Sequence, residues 1–293
     1  MRLDFLLSLF SLLLIWLLPP NCSLATEPNT RILTYNIRYL NTNDGEDVWS
    51  NRSQAVIETI SDAELVGLQE VVAQQLDDIR AGTSHMEWYG VGRDDGKQKG
   101  EMTPIGWDKQ RFAAERTGTF WLSRNPGEVG KKSWDAALPR IASWAVLRRR
   151  SDQARLLLVN THFDHIGQEA RQQSARLIRK WIFEHRQIDG TQLPAILLGD
   201  LNASLGQPPL DELLVASKQD SLPLKDAMSI TATPAVGPTG TWNGFKAIAE
   251  NSRIDHVLVL GDVRVERYQT LDPRTEQGRF ASDHLPIAVE VAY

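Results

Sequence analysis

Short, unbroken apolar runs recur along the chain and restrict its fold more than any other feature. Residues 32–36, 65–68, 141–147, 156–161, 195–198, 254–260, 263–268 and 287–291 each hold Leu, Val and Ile at strand length. Several of these runs are continuous, not alternating, so the strands they predict are buried on both faces. Such sheets need helices outside them. Residues 169–186 supply the clearest one: Ala170, Ser174, Leu177, Ile178, Trp181 and Ile182 line one stripe at helical spacing, with Gly190 just beyond. Shorter helices are expected at 54–60 and 72–80. The class is therefore α/β or α+β, with sheets covered by helices. No repeat, low-complexity tract or linker divides the chain.

The N-terminus reads differently. Arg2 precedes an apolar run from Phe5 to Leu18 broken only by Ser8 and Ser11; Pro19 and Pro20 end it, and Ser23-Leu24-Ala25 suits a signal peptidase. Residues 1–25 are expected to be a cleaved signal peptide, leaving one domain over 26–293 in a secreted or periplasmic protein. At 14 residues the run falls short of the ~20 that span a bilayer, so no stable membrane span is expected after cleavage. Cys22 is the single cysteine, which rules out a disulfide framework and a thiolate zinc cluster. The formal charge of -5 argues against a broad basic surface for duplex nucleic acid.

Polar residues gather where the apolar runs stop. Residues 32–35 lead to Asn36, 65–68 to Gln69-Glu70, 156–159 to Asn160-Thr161-His162, and 195–198 to Gly199-Asp200-Leu201-Asn202. Arg253-Ile254-Asp255-His256 opens another run, and Ser282-Asp283-His284 precedes the last. Each alone has a plain structural reading as a turn former, helix cap or salt-bridge residue. Together they deliver an oxygen-rich set to strand ends, where α/β proteins build sites. Such a set suits Mg²⁺ or Mn²⁺ and phosphate chemistry better than zinc.

In order along the chain, Tyr35-Asn36-Ile37-Arg38, Gly67-Leu68-Gln69-Glu70-Val71, Asn160-Thr161-His162, Gly199-Asp200-Leu201-Asn202, Arg253-Ile254-Asp255-His256 and Ser282-Asp283-His284-Leu285-Pro286 resemble the endonuclease/exonuclease/phosphatase superfamily. The resemblance implies a four-layer sandwich: two packed mixed β-sheets flanked by helices. It implies a metal-dependent phosphoric ester hydrolase, with Glu70, Asn36 and Asp283 holding Mg²⁺ or Mn²⁺. Asp200 and Asn202 match the pair that orients and deprotonates the attacking water, and their spacing puts both on one side of an extended segment. Asp255 and His284 match a carboxylate–imidazole pair, and His162 a contact to the scissile phosphate. The sequence departs at Leu40, where similar secreted bacterial members tend to carry a carboxylate.

Two loop segments, 89–105 and 133–140, place Arg93 and Arg140 as candidate substrate-binding residues, through their forked donors. Trp49, Trp134 and Trp242 are candidates for stacking on a base or sugar. His85, His165 and His185 read as structural or surface residues. A small or lipid-linked phosphoester is the expected substrate, ahead of DNA or RNA, and a non-catalytic binding module is the weaker alternative because no core position is missing. A monomer is expected.

Overall fold

All eight apolar runs form strands in the computed structural model, which describes residues 29–215 and 223–293. The expected signal peptide lies outside the described residues. In chain order the elements are β1 (Thr30–Asn36), α1 (Trp49–Ser61), β2 (Leu65–Gln69), α2 (Ala73–Gly82), β3 (Met86–Tyr89), β4 (Ile105–Asp108) and β5 (Phe112–Trp121). There follow β6 (Ile141–Arg149), β7 (Arg155–His162), α3 (Gln168–His185), a small hairpin of β8 (Gln187–Ile188) and β9 (Thr191–Gln192), then β10 (Ala195–Asp200) and α4 (Pro208–Leu214). The last elements are β11 (Lys225–Asp226), α5 (Ala227–Ile230), β12 (Asp255–Leu260), β13 (Arg264–Thr270) and β14 (Ile287–Ala292).

Two mixed six-stranded sheets result, ordered β13-β14-β1-β2-β4-β3 and β11-β12-β10-β7-β6-β5. Ile32, Leu65, Ile287 and Val289 of the first pack against Leu156, Leu158, Ile196 and Leu198 of the second, forming the central core. Alternate residues of the same strands point outward. Leu33, Tyr35 and Val66 meet α1 and α2, while Leu157, Val159 and Leu197 meet α3 and α4. This is the expected four-layer sandwich. Both faces of each sheet are covered, which explains why the strands lack polar alternation. In α3 the stripe buries Ala170, Ser174, Ile178 and Ile182 fully, and Leu177 and Trp181 pack at its margin.

The strands that the sequence conceals are β3, β4 and β5, together with the two-residue β8, β9 and β11. β5 lies at a sheet edge with Glu115 and Arg116 exposed, and β3 closes the other sheet; edge strands carry charge and little apolar signal. A polar bridge ties the two sheets near their common end. Gln69 Nε2 donates to Asn160 Oδ1 (2.7 Å), and Asn160 Nδ2 donates to the carbonyls of Leu68 and Pro104. Gly67 makes this possible, because a Cβ there would stand 2.8 Å from the Asn160 side chain. The basic run at 148–150 is structural: Arg149 is buried against Asp152, Thr30 Oγ1 and the Tyr293 carbonyl.

Candidate active site

Strand register assembles the first half of the site. Asp200, the last residue of β10, pairs with His162 of β7 on one side and Asp255 of β12 on the other. Directly opposed residues share a sheet face, so three candidate groups form one row. Asp200 is buried, its Oδ1 accepting the Asn202 N–H (2.9 Å) and its Oδ2 the Asn36 Nδ2 (3.0 Å). The same Oδ2 lies 3.5 Å from His162 Nε2 and 3.7 Å from His284 Nε2. Burial, then the charge of Asp255, pushes the Asp200 carboxyl up to about 7 despite the opposing pull of His284. Asn202 meets Asp200 through a turn at φ +46°, not along an extended segment as the two-residue spacing suggested. Its Nδ2 reaches His162 Nε2 and the Phe163 carbonyl, each at 3.1 Å.

The two histidines are shifted in opposite directions. His284 Nδ1 donates to Asp255 Oδ2 at 2.8 Å. Burial alone would lower the His284 imidazole, but the carboxylates of Asp255 and Asp200 outweigh it and hold the ring well above its ordinary range. His162 is driven well below that range by burial first and by the positive charges of Arg140 and His284 next, so it is neutral. Its Nε2 accepts from Asn202, which leaves the proton on Nδ1. That Nδ1 is buried without a hydrogen-bond partner and lies 4.0 Å from Glu101 Oε2.

Glu70 and Asp283 face this row from the first sheet. Glu70 follows β2 at φ +61°, and its carboxylate accepts from Asn36 Nδ2 (3.1 Å) and the Tyr39 N–H (3.2 Å). Burial, then the Glu70 charge, raises the Asp283 carboxyl against the opposing pull of His284, Arg38 and Arg52. Arg38 is clamped by Asp44 through two 3.0 Å bonds, with NH1 3.9 Å from Asp283 Oδ2. Asn36 is the link between the halves, since its one amide nitrogen donates to both Glu70 and Asp200.

Arg93 and Arg140 are brought to the His162 side. Both are buried, and with His162, Glu101 and Thr103 they line a cavity of about 10 Å³, enough for roughly one water. Arg93 NH1 bonds Glu101 Oε2 at 2.7 Å, in preference to Asp94 at 3.9 Å. Arg140 NH2 lies 3.0 Å from His165 Nδ1, and its Nε is 3.5 Å from Asp164. Arg93 Nε and Arg140 NH1 have no hydrogen-bond partner. Glu101 adjoins these groups without having been singled out by the sequence, while His165, read as structural or surface, is exposed and abuts Arg140. Glu101 sat within a turn-rich segment with no motif to mark it, and His165 gains its place only from Arg140. Trp49 is a core residue bonded to Asp78, and Trp134 packs by Arg124 in a groove along α3; only Trp242 adjoins the site.

The profile described as "Endonuclease/Exonuclease/phosphatase family" matches residues 33–284. The chain belongs to this family. Among solved structures it is similar to a family protein from Bacteroides vulgatus (34% identity, TM-score 0.82), covering 90% of this chain and 99% of that one. It is equally similar to a mannosyl-6-phosphatase from Bacteroides thetaiotaomicron (34% identity, TM-score 0.82, covering 90% and 100%). The human Nocturnin catalytic domain shares the fold at 17% identity and a TM-score of 0.68, covering 90% and 93%. No curated protein sequence matches. As a member of the endonuclease/exonuclease/phosphatase family, the chain is a metal-dependent phosphoester hydrolase.

Among the described residues, two donor sets are candidates for a divalent cation. Asp200, Asp255 and His284 offer ligand atoms within 4.8 Å of one another. There, however, the His284–Asp255 bond already engages two of the groups, and a charged ring repels a cation. Glu70 and Asp283 form a hard-oxygen pair beside the Asn36 amide, whose nitrogen faces Glu70 and whose oxygen accepts the Arg38 N–H (3.0 Å). In that pair the two carboxylates repel each other and no imidazole competes, which fits Mg²⁺ or Mn²⁺.

Proposed function

We propose that the chain hydrolyses a small phosphomonoester, a sugar phosphate in particular, by in-line attack of water. Arg93 Nε, Arg140 NH1 and His162 Nδ1, buried without hydrogen-bond partners around a shared small cavity, carry this reading. Three such donors suit the oxygens of a phosphoryl group. The mannosyl-6-phosphatase relative supports the sugar phosphate class. The charge of -5 and the structural role of Arg149 argue against a nuclease.

Glu70, Asp283 and Asn36 would hold Mg²⁺ or Mn²⁺, which would supply positive charge against the phosphoryl oxygens. Asp200, a carboxylate poised about 7, takes a proton from the attacking water, and Asn202 fixes that water's approach. His284, kept charged by Asp255, donates to a phosphoryl oxygen as negative charge grows there. Residues 1–25 direct export, so the reaction takes place outside the cytoplasmic membrane. The test is turnover by the purified chain with Mg²⁺, then with chelator, on a hexose phosphate, a phosphodiester, single- and double-stranded nucleic acid and a phospholipid headgroup ester. Preference for the monoester, lost on chelation, is the expected result. Preference for nucleic acid or the diester overturns the reading.

A further inference from the structure

Trp242 stands beside the catalytic imidazole, yet no step above uses it. It forms an isolated antiparallel bridge with His284. The flanking bonds run from Leu285 N–H to the Thr241 carbonyl (2.6 Å) and from Asn243 N–H to the Asp283 carbonyl (2.8 Å). That pattern defines a non-hydrogen-bonded pair, the kind whose side chains lie closest and project from the same face. The imidazole is buried at 5% exposure, while the indole beside it is 43% exposed. An exposed tryptophan is therefore the cross-strand neighbour of a buried candidate catalytic group.

The loop that presents it is fixed on several sides. Asn243 Nδ2 bonds the Ser282 carbonyl, and the Gly244 N–H bonds the Asp283 carbonyl. Thr241 Oγ1 accepts from the N–H groups of Ile254 and Asp255. The ring lies so close over Gly244 that a Cβ there would stand 2.8 Å from it. The backbone that carries the indole is thus fixed to the segments that carry Asp255, Asp283 and His284, and a ring on a fixed loop loses less freedom when a ligand stacks on it.

We propose that Trp242 is the platform for the organic part of the substrate, and that this part is a sugar ring laid by its apolar C–H face on the indole. The proposal rests on the phosphomonoesterase reading and adds to it the residue that selects the leaving alcohol. The phosphoryl group would then be gripped on the Arg93–Arg140–His162 side and the ring on the opposite, His284 side.

The experiment compares wild-type chain, Trp242→Ala and Trp242→Phe on mannose 6-phosphate, glycerol phosphate and a nucleoside monophosphate. It measures kcat and KM with Mg²⁺, and direct binding by calorimetry without it. Ring stacking contributes on the order of 1–3 kcal/mol per base in single-strand binders. The preference for the hexose ester over the glycerol ester should accordingly fall about tenfold in Trp242→Ala, mainly through KM and Kd, and largely return in Trp242→Phe. An unchanged preference, or equal losses on both esters, overturns the platform. A nucleotide favoured over the hexose ester overturns the sugar assignment. Hexose ester binding that depends on Trp242 without turnover of any monoester overturns the hydrolase reading alone, and wild-type chain that binds none of the three overturns the platform.

Discussion

Asn36 shows how much one side chain can organise. It spans from β1 to the Glu70 carboxylate on its own sheet and to Asp200 on the other. Around it, Arg38, Glu70 and Asn202 all occupy left-handed backbone, which costs on the order of 1–3 kcal/mol each for non-glycine residues. Such strain persists only where surrounding bonds impose it, as Gln75 and Arg52 do by donating to the Arg38 carbonyl. At Asp200 the prediction is kinetic. Asp200→Asn should lower kcat by roughly 10²- to 10⁴-fold with little change in KM, because the residue takes a proton and is absent from the phosphate grip. Steady-state rates check it, and a rise in KM alone would move Asp200 into binding. Asp255 and His284 should behave as one unit. Asp255→Asn and His284→Ala combined should cost little more than either single change, and additive losses in the double-mutant cycle would separate their roles.

The connection from β7 to α3 links an element boundary to substrate grip. Asp164 accepts from the N–H groups of Ile166 (3.1 Å) and Gly167 (2.8 Å), closing the turn that starts α3, and it lies against Arg140. Burial raises this carboxyl, but the backbone donors and Arg140 outweigh it and bring it down to about 2. Because the folded value lies below the unfolded ~3.9, the stabilisation is full above about pH 4 and is lost as pH falls toward 2. Asp164→Asn should therefore lower stability near neutrality by about 1 kcal/mol, a figure discounted for solvent screening at the loop. The difference should vanish in denaturant melts below pH 2. The same variant should raise KM by loosening Arg140. A deficit that persists below pH 2 would show that the ionised carboxyl contributes nothing.

Across the whole molecule, metal and protons act on stability through the packed sheet ends. A cation bound only by the folded chain stabilises it, by about 2.7 kcal/mol at a hundredfold excess over Kd. Mg²⁺ or Mn²⁺ should raise Tm by several degrees, chelator should reverse the rise and abolish activity together, and Glu70→Gln should shrink both effects. A Glu70→Gln chain with the full thermal shift would place the ion elsewhere, with the Asp200–Asp255–His284 group next in line. His256 gives the acid response. It is buried and donates through Nε2 to the Ala203 carbonyl, and burial, followed by Arg253, lowers its pKa to about 4. The unfolded chain takes up this proton near pH 6.5 and the folded one only near 4, so stability falls as pH drops through that window, by on the order of 3 kcal/mol. His256→Gln should be less stable at pH 7.5 yet flatter between pH 6.5 and 4, and an unchanged slope would assign the loss to other groups.

The eight apolar runs, the α3 stripe and the polar residues closing the strands were legible because burial on both faces writes itself into continuous Leu, Val and Ile. So was the family likeness, carried by ordered blocks from Tyr35 to Pro286 and matched by a profile over residues 33–284. β3, β4 and β5 were illegible, since edge positions and short length leave the apolar pattern too weak to read. The sequence could name Asp200, His162 and Asp255, but only strand register could line them up across β7, β10 and β12. It could not show Glu101 between Arg93 and Arg140, His165 behind Arg140, or which of three loop tryptophans faces His284. Those relations join residues far apart in the chain, and spacing along one strand or helix carries no information about what packs across from it. Tertiary structure decided them, by bringing two sheet ends together around groups whose charges are then set by burial and by one another.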